Sequence, residues 1–100
     1  MNNYKTLNSR GKEIHTDVSL HPGEVLQDEL EARVIPHNIL AGLLGMKASH
    51  FSELLRDKRH VGAATALKLE NVLDISSEYW MRIQVYHDLL IERQKQEAAA

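Results

Sequence analysis

The 100-residue sequence contains no cysteine, which excludes disulfide bonds and thiolate metal sites together, and with them the usual framework of a small secreted domain. A reducing cytoplasm is the expected setting. Aromatic residues are also scarce, being limited to Tyr4, Phe51, Tyr79, Trp80 and Tyr86. With 43% of the chain apolar, the core must be built mostly from Leu, Ile, Val and Ala, a composition that favours helices. No stretch approaches the roughly 18 consecutive apolar residues of a membrane span, and the opening Met-Asn-Asn-Tyr-Lys lacks the apolar run of a signal peptide. A soluble, cytoplasmic protein with no membrane partner is therefore predicted. Strand alternation and internal repeats are absent too. The length suits one compact domain and is short for two, so any function must fit on a single core.

Catalytic signatures are equally hard to find. The six histidines (15, 21, 37, 50, 60 and 87) include no i, i+4 pair, which makes a zinc site improbable and surface or capping roles the better expectation. No G-x-S-x-G turn surrounds any serine, and no glycine-rich phosphate loop occurs. The sequence predicts neither an enzyme nor a cofactor.

The net charge of −2 hides a division along the chain. Residues 23–34 carry four acids and one base, whereas residues 47–60 carry four bases and two acids. Screening limits each charge to about 10 Å of reach, so the local sign matters more than the total. The basic segment is the one suited to phosphate.

The apolar spacing predicts five helices. The first begins at His21-Pro22-Gly23-Glu24, with Pro in the first turn and an acid near the positive end of the dipole, and carries Val25, Leu26, Leu30 and Val34 as its apolar stripe. Pro36 ends it and opens the second, whose apolar face is Ile39, Leu40, Leu43 and Leu44. Gly45 then supplies a left-handed stop. A third short helix points Phe51, Leu54 and Leu55 inward, and Asp57 tolerates the turn that ends it. Gly62 precedes a fourth helix through residues 63–73, whose small residues permit close approach. Ser76 or Ser77 caps a fifth, along which Trp80, Ile83, Tyr86 or His87, and Leu90 form one side. The expected organisation is an arm at residues 1–20, a domain at 21–95 ending in a dimerisation helix, and a frayed tail at 96–100.

The second and third helices, joined by a three- or four-residue turn containing Gly45, have the form of a helix-turn-helix, in which a side chain at the glycine would meet the neighbouring helix. An ordinary helical corner has the same spacing. The outward residues favour DNA: Lys47, Ala48, Ser49, His50, Ser52 and Glu53 are short or polar, as a helix facing base edges requires. Lys47, Arg56, Lys58 and Arg59 are the cations placed to meet phosphates, or else form a solvated basic turn. Trp80, Ile83, Tyr86 and Leu90 are the candidates for dimer or partner contact, with closure of the core the competing role for Trp80.

Residues 36–59, from Pro-His-Asn-Ile-Leu to Arg-Asp-Lys-Arg, resemble the helix-turn-helix of the phage-repressor-like (Xre) family. His-Pro-Gly-Glu-Val-Leu-Gln-Asp-Glu-Leu at 21–30 and Ser-Ser-Glu-Tyr-Trp-Met-Arg-Ile-Gln at 76–84 are similar to the opening and closing signatures of HigA-type antidotes of toxin–antitoxin modules. The resemblance implies an all-α, lambda-repressor-like homodimer. It further implies binding to a palindromic operator in the protein's own promoter and to an mRNA-cleaving toxin of the RelE/HigB type. It places Lys47, Ala48, Ser49, His50, Ser52 and Glu53 at groove-facing positions, and puts His37 where relatives often carry a phosphate-contacting Gln. Two departures stand out: Glu53 replaces a frequent Arg, and Arg56-Asp57 replaces a common Asn-Gly. Glu53 is thus either a base reader or a mark of weakened DNA binding. A stand-alone regulator, and a toxin-sequestering module with vestigial DNA binding, remain alternatives.

Overall fold

A computed structural model of the protein describes residues 20–99; the arm assigned to residues 1–20 therefore lies, except for Leu20, outside the described residues. Five α-helices follow in order: α1 (Pro22–Arg33), α2 (His37–Leu43), α3 (Ala48–Leu55), α4 (Ala63–Leu73) and α5 (Ser77–Ala99). The fold is all-α and contains the helix-turn-helix.

Each helix begins and ends for a local reason. His21 caps α1, its Nδ1 accepting the Gly23 N–H at 3.1 Å, and Pro22 occupies the first turn. At the other end Val34 takes a left-handed backbone (φ 55°), and the Ile35 N–H donates to the Leu30 carbonyl at 2.9 Å. That cap corrects the predicted stripe: Val34 is thrown outward, 85% exposed, while the next residue, Ile35, packs on the core. Gly45 is left-handed as expected (φ +69°), but a Cβ there would meet nothing within 4 Å. The turn needs glycine for its backbone angle, and the expected lack of space is absent. The start of α5 is held twice, by Ser76 Oγ accepting the Tyr79 N–H at 3.1 Å and by Glu70 Oε1 accepting the Ser77 N–H at 2.8 Å. Hydrogen bonds from the Ser77 side chain and backbone hold the Glu70 carboxyl below its ordinary pKa. The helix continues through residues 96–99, assigned from the sequence to a tail, where Gln96 Nε2 donates to Glu92 Oε2 one turn back.

The core draws on every helix: Leu26 and Leu30 from α1, Leu40 and Ala41 from α2, Phe51 and Leu54 from α3, Ala66, Leu69 and Leu73 from α4, and Trp80 from α5, with Leu44 and Val61 from the connections. In α2 the predicted face was rotated. Leu40, Ala41 and Leu44 are buried, whereas Ile39 and Leu43 are 51% and 61% exposed. At about 100° per residue, positions 40, 41 and 44 share one side of the helix and positions 39 and 43 the other. Four apolar residues in seven could serve either phase, and the phase adopted buries the small Ala41 together with Leu40 in the core.

Candidate nucleic-acid interface

Phe51 and Leu54 anchor α3 from inside, being 2% exposed each. The same helical period then carries Ser49, Ser52, Glu53 and Arg56 outward as a single stripe. Lys47, Ala48, Ser49, Ser52, Arg56, Lys58 and Arg59 are exposed, and His50 and Glu53 are half-buried on the flanks. No large apolar side chain interrupts this face. Arg56 lies back along the helix, its Nε donating to the Ser52 carbonyl at 3.4 Å, and Arg59 Nε donates to Glu53 Oε1 at 2.6 Å. The three bases and two acids of residues 53–59 therefore leave a local excess of positive charge.

His37 begins α2 beside this helix, its ring edge-on to Phe51 with centroids 6.0 Å apart. It lines a shallow groove with Ser52, Leu55 and Arg56, but Glu24, Gln27 and Asp28 of α1 form the opposite wall. A phosphate approaching His37 is favoured only from the α3 side, since the acidic wall repels it from the other.

Three long-range contacts hold the C-terminal end of α3 and the connection that follows it. A Cβ on Gly23 would stand 2.5 Å from both the Leu54 and Leu55 carbonyl oxygens, so the start of α1 rests directly on the last turn of α3 in a way only glycine allows. Asp57, left-handed at φ 60° as its sequence position suggested, brings its carboxylate within 2.5 Å of His87 Nε2 on α5, with the imidazole N–H donating. Gln84 Oε1, buried on the same helix, accepts the Val61 N–H at 2.7 Å. The exposed stripe is thus presented from a segment tied to both α1 and α5. Sequence reasoning missed Gly23, Gln84 and the His87–Asp57 pair. A glycine in the second position of a helix was a signal of close approach, whereas nothing local pairs residues 23 or 30 positions apart.

No family model matches the sequence. The chain is 32% identical over 80 residues to virulence-associated protein I of Dichelobacter nodosus, covering 78% of this chain and 74% of that protein. Among solved structures it superposes on the Pseudomonas aeruginosa antitoxin HigA with higBA promoter (TM-score 0.75, 29% identity, 82% of this chain and 90% of the other). It also superposes on an addiction module antidote protein of a HigA family from Coxiella burnetii (TM-score 0.74, 28% identity, 81% and 89% covered). The chain belongs to the HigA-type antidote family.

On this HigA-type frame a second outward face lies across α4 and α5. An open groove there is lined by Ala63, Leu67, Met81, Val85 and Tyr86 among others, and Leu67, Val85, Tyr86 and Leu89 are all exposed. Two of the four residues expected at a partner contact do not belong to it. Trp80 is 0% and Ile83 8% exposed, both committed to the monomer's own interior; the competing role for Trp80, closure of the core, is the one it plays. Tyr86 is 65% exposed and Leu90 half-buried. The apolar period along α5 marked burial correctly for Trp80, while Tyr86 and the neighbouring His87 divided, His87 turning inward to Asp57. Among the described residues no helix is long and apolar enough to cross a membrane.

Proposed function

We propose that this HigA-type protein is a sequence-specific DNA-binding antitoxin that acts as a homodimer, represses its own operon and neutralises an mRNA-cleaving toxin. The observation that carries the reading is the outward stripe of α3: Lys47, Ala48, Ser49, His50 and Ser52 offer hydroxyls, an imidazole and an ammonium with no bulky apolar group among them, and Glu53 stands beside them paired with Arg59. Such a face suits the donors and acceptors of the major groove. His37, Arg56, Lys58 and Arg59 flank it as phosphate contacts, supplying register and affinity rather than sequence choice. The relative from Pseudomonas aeruginosa was solved with the higBA promoter, which supports a DNA-binding role for this chain.

Few phosphate contacts fall to one subunit, so two copies are needed for useful affinity at physiological salt. The apolar α4–α5 face, with Leu67, Val85, Tyr86 and Leu89, is the surface on which they would meet, and the half-sites would then lie roughly 34 Å apart. The toxin has its candidate surface in α1, where Asp28 and Glu31 are exposed and a basic protein would be drawn in by complementary charge.

Titration of the protein onto duplex DNA from upstream of its gene tests the reading. The native chain prefers this duplex to a scrambled one, and Lys47→Ala with Ser49→Ala lowers affinity about 10- to 100-fold and reduces the salt slope by about one unit. Unchanged affinity and slope in the double variant would mean that α3 is not the reading helix. Purification of the complex with the product of the adjacent reading frame, and relief of its RNase activity, tests the antitoxin half.

A further inference from the structure

Glu53 stands in the middle of the outward stripe of α3 with its side chain 41% exposed. A bare carboxylate there would repel the phosphates that the neighbouring cations attract. The structure answers that charge from an unexpected direction. After α3 the chain turns back through the left-handed Asp57, and the Lys58 N–H donates to the Glu53 carbonyl at 2.8 Å. This fold-back carries Arg59 over the last turn of the helix, where its Nε–H reaches Glu53 Oε1 at 2.6 Å. Glu53 therefore holds the turn through its main chain and the cation through its side chain. One hydrogen bond engages only one of the five N–H groups of a guanidinium, and the Arg59 side chain remains 48% exposed. The group is oriented but not consumed.

We propose that Glu53 is a positioning residue for Arg59, holding the guanidinium for an operator phosphate, and that it reads no base itself. The proposal rests on the DNA-binding reading above. An exposed ion pair adds little to stability, so the geometry matters here for orientation and charge: the pair presents a directed fork with no net charge, where an unpaired carboxylate would present a repulsive one. A carboxylate that instead accepted from cytosine N4 would have to turn away from Arg59 or share its oxygens with it.

The test is a double-mutant cycle on the full chain, using anisotropy titrations onto the upstream duplex, a scrambled duplex and operators with single-base changes. Arg59→Ala is expected to weaken binding about tenfold, since it removes a phosphate contact and bares Glu53. Glu53→Ala in the native background weakens binding about threefold, and Glu53→Gln, which keeps an acceptor for Nε–H, restores most of that loss. In the Arg59→Ala background the sign reverses: Glu53→Ala strengthens binding about threefold by removing the bared carboxylate. Base preference is unchanged throughout, and melting temperatures stay within a few degrees because both side chains are surface groups. Equal losses from Glu53→Ala with and without Arg59, or a preference relaxed at one C·G position, overturn the proposal and leave the DNA reading standing. A native chain that binds scrambled and upstream DNA alike overturns the DNA reading, and this proposal with it.

Discussion

The two helices of the helix-turn-helix, α2 and α3, are nearly equal in length and each buries one side in the same core, yet they turn opposite chemistries outward. From α2 the exposed residues include Ile39 and Leu43; from α3 they are Ala48, Ser49 and Ser52, with the half-buried His50 and Glu53 and with Arg56 at the C-cap. The long α5 sides with α2, exposing Val85, Tyr86 and Leu89. Core packing cannot explain the difference, because both kinds of helix satisfy it equally well. A scattered apolar residue on a surface needs no explanation, whereas the groove lined by Leu67, Met81, Val85 and Tyr86, with Ser77, Glu78 and Arg82 among them, sets α4 and α5 apart from the polar stripe of α3. Polar groups on α3 suit a hydrated, charged ligand whose own donors and acceptors must be matched. The α4–α5 face, with Leu67, Val85 and Tyr86 beside Glu78 and Arg82, has the mixed apolar and charged make-up of a protein contact.

The largest effect separates the inside of α2 from its outside. Leu40, which is 0% exposed, should lose about 2–5 kcal/mol of stability on truncation to alanine, through lost transfer energy and the cavity left behind. Leu43→Ala, on the opposite side, should cost under about 0.5 kcal/mol. Denaturant melts of the two variants at low protein concentration measure this, and similar losses from both would restore the rotated face that the sequence suggested.

That rotation shows where the sequence stops being legible. Five helices could be read from periodicity because long apolar spacings, Pro36 and Gly45 punctuate the chain, and the outward residues of α3 followed once Phe51, Leu54 and Leu55 were placed inside. In α2 the seven positions supply apolar side chains to both faces, so no local pattern distinguishes them; the side turned inward is the one that joins the shared core beside α3. Trp80 and Ile83 illustrate a second limit. An apolar period states that a face is covered, and its form is the same whether the cover is the chain itself or a partner. The Glu53–Arg59 pair illustrates a third, since it spans six residues across a left-handed turn, a spacing that no helical rule connects.

The next largest effect tests the other half of the comparison. Replacing Tyr86 by Asp places a charge on the α4–α5 face at a side chain that is 65% exposed in the monomer. If that face joins two copies, sedimentation should show the variant as a monomer, and affinity for a full operator should fall about 100-fold while binding to an isolated half-site is preserved. Its melting temperature at low concentration should hardly move. A dimeric Tyr86→Asp protein would mean that the apolar face serves something else.

The smallest effect contrasts how α3 and α5 begin. No side chain caps the start of α3, where Lys47 occupies the cap position, so its first turn is left to solvent or a ligand; α5 is tied down by Ser76 and by Glu70. The Glu70 carboxyl is held below its ordinary value of 4.5 by hydrogen bonds from the Ser77 side chain and backbone. A carboxylate with a depressed folded pKa contributes stability that is complete above the unfolded value and disappears as pH falls through the folded one. Glu70→Gln keeps an acceptor and removes only the charge, so its melting temperature should lie slightly below that of the native protein at pH 7. The two should converge as the pH drops below 4.5. Operator affinity at pH 7 should be the same for both, because the residue secures α5 to α4 and has no part in the face that α3 presents. A variant whose deficit persists at low pH would show that Glu70 acts there through packing, and not through the charge that Ser77 stabilises.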